Sequence, residues 1–179
     1  EVNAPIIISS AGVMNTYGKL LKNTTVFPKL NDQLNTVNPT SSYICLYIGL
    51  NKSAEELKLK NTNLWIYPSY DHDLNLARYM RDSTQALPVV YVSFPSAKDP
   101  SFKDEHPGYA TMEAITIANW KEYNNWENKP WKNRGDDYEV MKENLSQYIL
   151  EKVYKHVPQA KDAIAYKELS TPLSVKSLA

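Results

Sequence analysis

Tyr109-Ala110-Thr111-Met112-Glu113-Ala114-Ile115-Thr116-Ile117-Ala118 is the stretch whose reading decides the fold. Ala110, Met112, Ala114 and Thr116 alternate with Thr111, Glu113, Ile115 and Ile117, and a period of two sends the two sets to opposite faces of a β-strand. Other segments repeat the sheet signature. Val89-Val90-Tyr91-Val92-Ser93-Phe94 follows Pro88 and is rich in β-branched and aromatic residues. Residues 42–50 are dense in Tyr, Ile and Leu, residues 63–67 end at Pro68, and residues 164–169 read as a returning edge strand. Only one long helical pattern accompanies them. In residues 137–157, Val140, Leu145, Tyr148, Ile149, Lys152 and Val153 fall near one stripe, and Pro158 ends the pattern. Strands separated by short elements, with a single strong helix, predict an α+β domain: a mainly antiparallel or mixed β-sheet with packed helices.

Between these elements the local signals are short. Residues 5–10 read as an apolar strand ending at Gly12, and Asn15-Thr16-Tyr17 as a helical turn. Leu30 and Leu34 have helix spacing in a segment closed by Pro39. Ser53 and Glu56 stand at the spacing of a reciprocal helix cap. Residues 73–81 predict a short helix carrying Leu74, Ala77 and Met80, and Pro95 and Pro100 frame a loop. Trp120, Tyr123, Trp126 and Trp131 read as a wedge between a helix or loop and the sheet, in preference to a ligand-stacking platform. Arg134-Gly135-Asp136-Asp137 is expected to hold the start of the long helix, with an acidic group near its free amides.

Composition excludes several functions. In 179 residues, 20 Lys and Arg balance 20 Asp and Glu without a long basic run, so no net field steers nucleic acid or an anionic membrane to the chain. A single cysteine, Cys45, rules out an internal disulfide and reads as a strand thiol. Asp71-His72-Asp73 reads as a polar turn, and no metal site is expected. No apolar run approaches the roughly 20 residues that span a bilayer, and no signal peptide is visible, so a soluble, cytoplasmic protein is expected. Nucleophile elbow, phosphate-binding glycine fingerprint and paired-histidine patterns are all missing. The opening at Glu1 on an apolar segment without an initiator Met reads as a piece of a larger protein.

Several ordered segments resemble the carotenoid and retinoid flavoprotein oxidoreductases, a group that includes phytoene desaturases, carotenoid isomerases and retinol saturases. They are residues 9–17 followed by Leu20-Leu21, residues 59–63, residues 95–101, residues 132–138 and residues 170–174, and the closer likeness is to the retinol saturases and their bacterial relatives. The resemblance implies a substrate domain of the FAD-linked reductase type. Residues 1–22 would cross back toward an FAD domain, 23–169 would form the substrate-binding domain, and 170–179 would cross toward a C-terminal FAD segment. It further implies a parent enzyme that desaturates, saturates or isomerises carbon-carbon double bonds of an apolar polyene through FAD. This chain alone is expected to bind no cofactor and to be inactive.

On that reading Ser10, Gly12, Asn15 and Thr16 belong at the cofactor-facing end, none of them as acid or base. Tyr43, Tyr47, Trp65, Tyr67, Tyr91, Phe94 and Met112 are the expected substrate wall. Alternation assigns Trp65 and Tyr67 to one face, and Tyr43, Cys45 and Tyr47 to another. The expected partners are the polyene, the FAD-binding domain in cis, a second copy of the chain, and a membrane surface touched peripherally by the parent. The other function considered is a noncatalytic domain that binds an apolar ligand or another protein.

Overall fold

In the computed structural model, which describes residues 3–21, 33–34, 36 and 41–178, the alternating segments form one five-stranded sheet. Its strands are β1 (Ser42–Leu50), β2 (Leu64–Ile66), β3 (Val90–Ser93), β4 (Ala110–Ala118) and β5 (Ile164–Ser170). They lie in the order β2-β3-β4-β1-β5, and every pairing is antiparallel. The two longest strands, β1 and β4, pair over their full length, from Ser42 opposite Ala118 to Leu50 opposite Ala110. Among the described residues, the α-helices longer than two turns or closing the chain are α1 (His72–Arg81), α2 (Asp136–Tyr154) and α3 (Pro172–Leu178).

One face of the sheet is the core. Ile44, Leu46, Ile48 and Leu50 of β1 share it with Met112 and Ala114 of β4 and with Val90 and Val92 of β3. The buried side of α2, through Ile149, Leu150 and Val153, belongs to the same cluster. The burial stripe of this helix runs through Tyr138, Ser146, Ile149, Leu150 and Val153. Val140, expected on it, is exposed, because two residues past Tyr138 is about 200° around the helix. In α1 the buried residues are Asn75 and Tyr79, while Leu74 and Ala77 face outward. Asn75 tolerates burial because its side chain bonds Ser69 through both the amide oxygen (3.0 Å) and the amide nitrogen (3.3 Å).

Caps fix the ends of these elements. Asp71 accepts the Leu74 N–H at 3.0 Å, which gives the Asp71-His72-Asp73 triplet a structural task, and His72 stacks on Tyr67 at 4.0 Å. Ser53 and Glu56 bond each other's backbone N–H reciprocally, at 2.9 and 3.1 Å. Gly135 precedes α2 at φ 95°, where an added Cβ would stand 2.9 Å from Asp137 Oδ1. Asp136, Asp137 and Glu139 fill the first turn of α2. Three of the four aromatics wedge against the core, Trp120–Trp126 being a 3₁₀ segment with Tyr123 buried and the Trp126 indole N–H donated to Asp137 at 2.7 Å, whereas Trp131 is exposed. The loop expected after Pro95 is instead a helical turn, Pro95–Lys98, since Pro suits the first helical position.

The chain divides into two compact units, Glu1–Thr40 and Ser41–Ala179. Residues 170–178 belong structurally to the second unit, where Thr171, Pro172 and Leu173 are buried. In the first unit, residues 5–10 join no sheet among the described residues, and Ile6, Ile7 and Ile8 are exposed. Val13–Asn15 is a single α-turn continued by a π-turn at Thr16–Leu20. Leu30 and Pro39 lie outside the described residues.

Burial of Tyr79 has a consequence at high pH. Desolvation, with Glu122 as a like-signed neighbour, pushes its hydroxyl up to about 12, above the unfolded value near 10. The folded state therefore holds the proton more tightly, and the stability it contributes is intact below about pH 10 and falls as pH rises to about 12. On the order of 2 kcal/mol is lost across that window. Urea unfolding at pH 9 and pH 11.5 should show the loss, and Tyr79→Phe should reduce it.

Candidate functional site

The second face of the sheet is built by the alternate residues of the same strands. Antiparallel register aligns Trp65 of β2 with Tyr91 of β3, Tyr91 with Ile115 of β4, Ile115 with Cys45 of β1, and Cys45 with Ser170 of β5. At about 4.8 Å per strand, this row runs about 19 Å across the sheet. Beside it stand Ser93, Glu113, Tyr47 and Glu168 in register, with Tyr43 opposite Ile117 and Tyr166 opposite Gly49.

This face lies open to a degree unusual for aromatic side chains: Tyr43 is 59% exposed, Tyr47 45%, Trp65 61% and Tyr166 59%. Trp65 and Tyr91 make a tilted pair with ring centres 4.7 Å apart. Gly49 lets Tyr166 approach, since a Cβ at Gly49 would lie 3.4 Å from the Tyr166 Cβ. The row itself carries no acidic or basic side chain, but Glu113 stands beside it on the central strand β4, in register between Ser93 and Tyr47. Burial pushes the Cys45 thiol up, and the hydrogen bond with Cys45 pushes the Tyr47 hydroxyl up. At the margins Glu168 accepts the Tyr166 hydroxyl at 2.6 Å and Lys98 donates to Ser93 at 2.9 Å. Such a surface can hold a long apolar molecule against rings and aliphatic side chains, with hydroxyls at one border.

Of the seven wall residues expected from sequence, four share this face: Tyr43, Tyr47, Trp65 and Tyr91. Trp65 therefore lies on the same face as Tyr43, Cys45 and Tyr47 and not on a different one, because an odd-to-odd register links all four strands. Phe94 and Met112 are corrections: both belong to the core, at 3% and 0% exposure. Tyr67 lies past the end of β2, and its ring is engaged by His72. Sequence reasoning omitted Ile115, Ile117 and Tyr166, although the alternation of β4 already separated Ile115 and Ile117 from Met112.

Ser10, Gly12, Asn15 and Thr16 lie in the first unit, and the described residues around them form no cradle for a flavin. Thr16 Oγ1 shares a hydrogen bond with Ser9 at 2.7 Å, and Asn15 donates its side-chain amide to Ala11 O at 3.1 Å. Gly12 has φ 81°, with nothing within 4 Å of an added Cβ. The segment is thus a glycine-led turn with its polar groups used internally. Among the described residues there is also no metal-binding group of three or more His, Cys, Asp or Glu, and no helix long and apolar enough to cross a membrane.

Fold and site together define the class: an α+β domain whose antiparallel sheet is packed on one face and offers on the other an aromatic and aliphatic row flanked by Glu113 and Glu168. No protein-family model matches the chain. Curated relatives do. The chain is 37% identical to an all-trans-retinol 13,14-reductase of Danio rerio over 97% of its own length, which is 30% of that relative. It is 31% identical to the Homo sapiens all-trans-retinol 13,14-reductase over 97% of the chain and 29% of the relative. It is 30% identical to a second Danio rerio protein, an inactive all-trans-retinol 13,14-reductase, over 99% of the chain and 30% of the relative. The chain spans about three tenths of the length of these proteins, and over that part it is similar to the all-trans-retinol 13,14-reductases.

Proposed function

We propose that this chain supplies the substrate-facing sheet of a reductase acting on carbon-carbon double bonds of a retinoid or similar polyene. The observation that carries this reading is the row Trp65, Tyr91, Ile115, Cys45, an apolar strip spanning four strands in which Trp65 is exposed and the other three are half-buried. An extended hydrocarbon laid on it loses water along its length, at roughly 25 cal/mol per Å² of apolar area removed from solvent. The names of the relatives supply the substrate class, all-trans-retinol, and the bond position, 13,14.

The chain's own part is to bind, align and exclude water. Tyr47 and Tyr43 hold their hydroxyls at the border of the strip, and no carboxylate or ammonium projects into the row itself. FAD is the redox group that the family resemblance implies for the parent. Ser10, Gly12, Asn15 and Thr16 are the residues that the resemblance puts at its edge, and no acid or base step is assigned to them.

The test is made on the full-length protein. Purified material should carry flavin absorbance and convert all-trans-retinol to a product with one double bond fewer, separated by chromatography. Retinol binding without flavin and without turnover would favour instead a noncatalytic apolar-ligand domain.

A further inference from the structure

A cavity of about 330 Å³ lies where the open face meets the first turns of α2, with Tyr47, Glu168 and Ser170 on the sheet side and Arg134, Tyr138 and Lys142 opposite. We propose that this cavity is an oxyanion site that takes the carboxylate of an amphipathic ligand whose apolar part lies on the open sheet face. The placement of the apolar part rests on the reading of that face as a ligand wall; the carboxylate site does not.

Arg134 is the reason. Its side chain is only 5% exposed, and a guanidinium stays charged in any protein environment. Nη2 donates to Leu173 O at 3.2 Å and to Ser177 Oγ at 2.9 Å, which are neutral acceptors. Nε is buried with no hydrogen-bond partner, and no carboxylate pairs with this residue among the described residues. The flat group rests 5.3 Å from the centre of the Tyr138 ring, whose hydroxyl is tied to Thr171 at 2.6 Å, so its position is fixed. A buried cation without a counter-ion is costly, and an anion at the cavity it lines relieves that cost.

The surrounding charges select the anion. Lys132, Arg134 and Lys142 line the cavity together with Glu139 and Glu168, so three positive and two negative charges leave one positive. Glu139 is matched by Lys142 at 3.5 Å, and Glu168 accepts the Tyr166 hydroxyl at 2.6 Å. Lys132, 4.8 Å from the Trp131 ring centre, has no carboxylate partner among the described residues and joins Arg134 as an uncompensated cation. A single surplus charge suits a carboxylate better than a phosphate dianion. The N-terminus of α2 adds a positive dipole end at the same place, partly offset by Asp136, Asp137 and Glu139. Tyr47 and Ser170 belong both to the cavity and to the open face, so a ligand seated here by its carboxylate can continue onto the aromatic row.

Calorimetric titration of the full chain with decanoate and with decanol, using acetate as a competitor of the head group alone, tests this. Decanoate should bind at least tenfold more tightly than decanol, and acetate should weaken decanoate only. Arg134→Met should erase the preference. Because that variant removes a buried contact to α3, Lys132→Gln at an exposed position provides a second reading, with the preference reduced several-fold and the thermal midpoint unchanged. Trp65→Ala should weaken both ligands alike; if it weakens neither while the carboxylate preference persists, the wall reading fails and the oxyanion site stands. Equal binding of decanoate and decanol, or a preference that survives Lys132→Gln undiminished, would overturn the oxyanion site.

Discussion

Replacing Met112 with alanine should destabilise the protein by about 2–5 kcal/mol, the cost of emptying a fully buried site that neighbours only partly refill. Met112 lies opposite Ile48 in the β1–β4 pair and shares the core with Ile44, Leu46 and Ile149. The expected readout is a lower urea midpoint with an unchanged slope, since the surface exposed on unfolding stays nearly the same. A wall residue in contact with ligand would give another pattern, with little change in stability and weaker binding. Near-wild-type stability of Met112→Ala would mean that the two faces of the sheet have been exchanged.

The converse result is expected from Trp65→Ala and Tyr91→Ala. Trp65 is mostly exposed, and Tyr91 packs beside it on the open face, so neither change empties the core. Stability should move by less than about 1 kcal/mol. Aromatic rings of this size bury about 150–250 Å² when covered, so each truncation in the full-length protein should raise KM for all-trans-retinol about tenfold or more. Unchanged retinol kinetics in both variants would remove the aromatic row from the substrate site.

The same contrast shows what the sequence revealed and where it stopped. Alternation in residues 109–118 was enough to define a strand and to divide its side chains into two sets, and the Val-rich and Tyr-rich runs located β3 and β1. With one strong helix these gave an α+β fold with a largely antiparallel sheet. Alternation does not say which set faces the helix, because Ala, Met and Thr on one side and Ile, Thr and Glu on the other are close in polarity. The pattern alone therefore puts Met112 with the wall residues and passes over Ile115, which stands on the open face. The register across four strands that brings Trp65, Tyr91, Ile115 and Cys45 into one row depends on pairing between segments as far apart as residues 45 and 115, which local periodicity does not encode. Val140 failed differently: its spacing to Leu145 is not that of a helical face, and the buried stripe of α2 follows Tyr138.

Arg134 illustrates a third case. The Arg-Gly-Asp-Asp run was read as a helix start, and Gly135 with its positive φ does precede α2. That the arginine itself is buried beneath α3, bonded to Leu173 and Ser177, depends on contacts about 40 residues away in sequence.

Cys45 provides the most direct check on the account, because it is the chain's single cysteine and stands in the aromatic row between Ile115 and Ser170. Its alkylation rate in the full-length protein, followed by mass spectrometry of the peptide that contains it, should fall several-fold when all-trans-retinol is bound. An unchanged rate under conditions of demonstrated retinol binding would show that the hydrocarbon does not lie on this face, and would contradict the account.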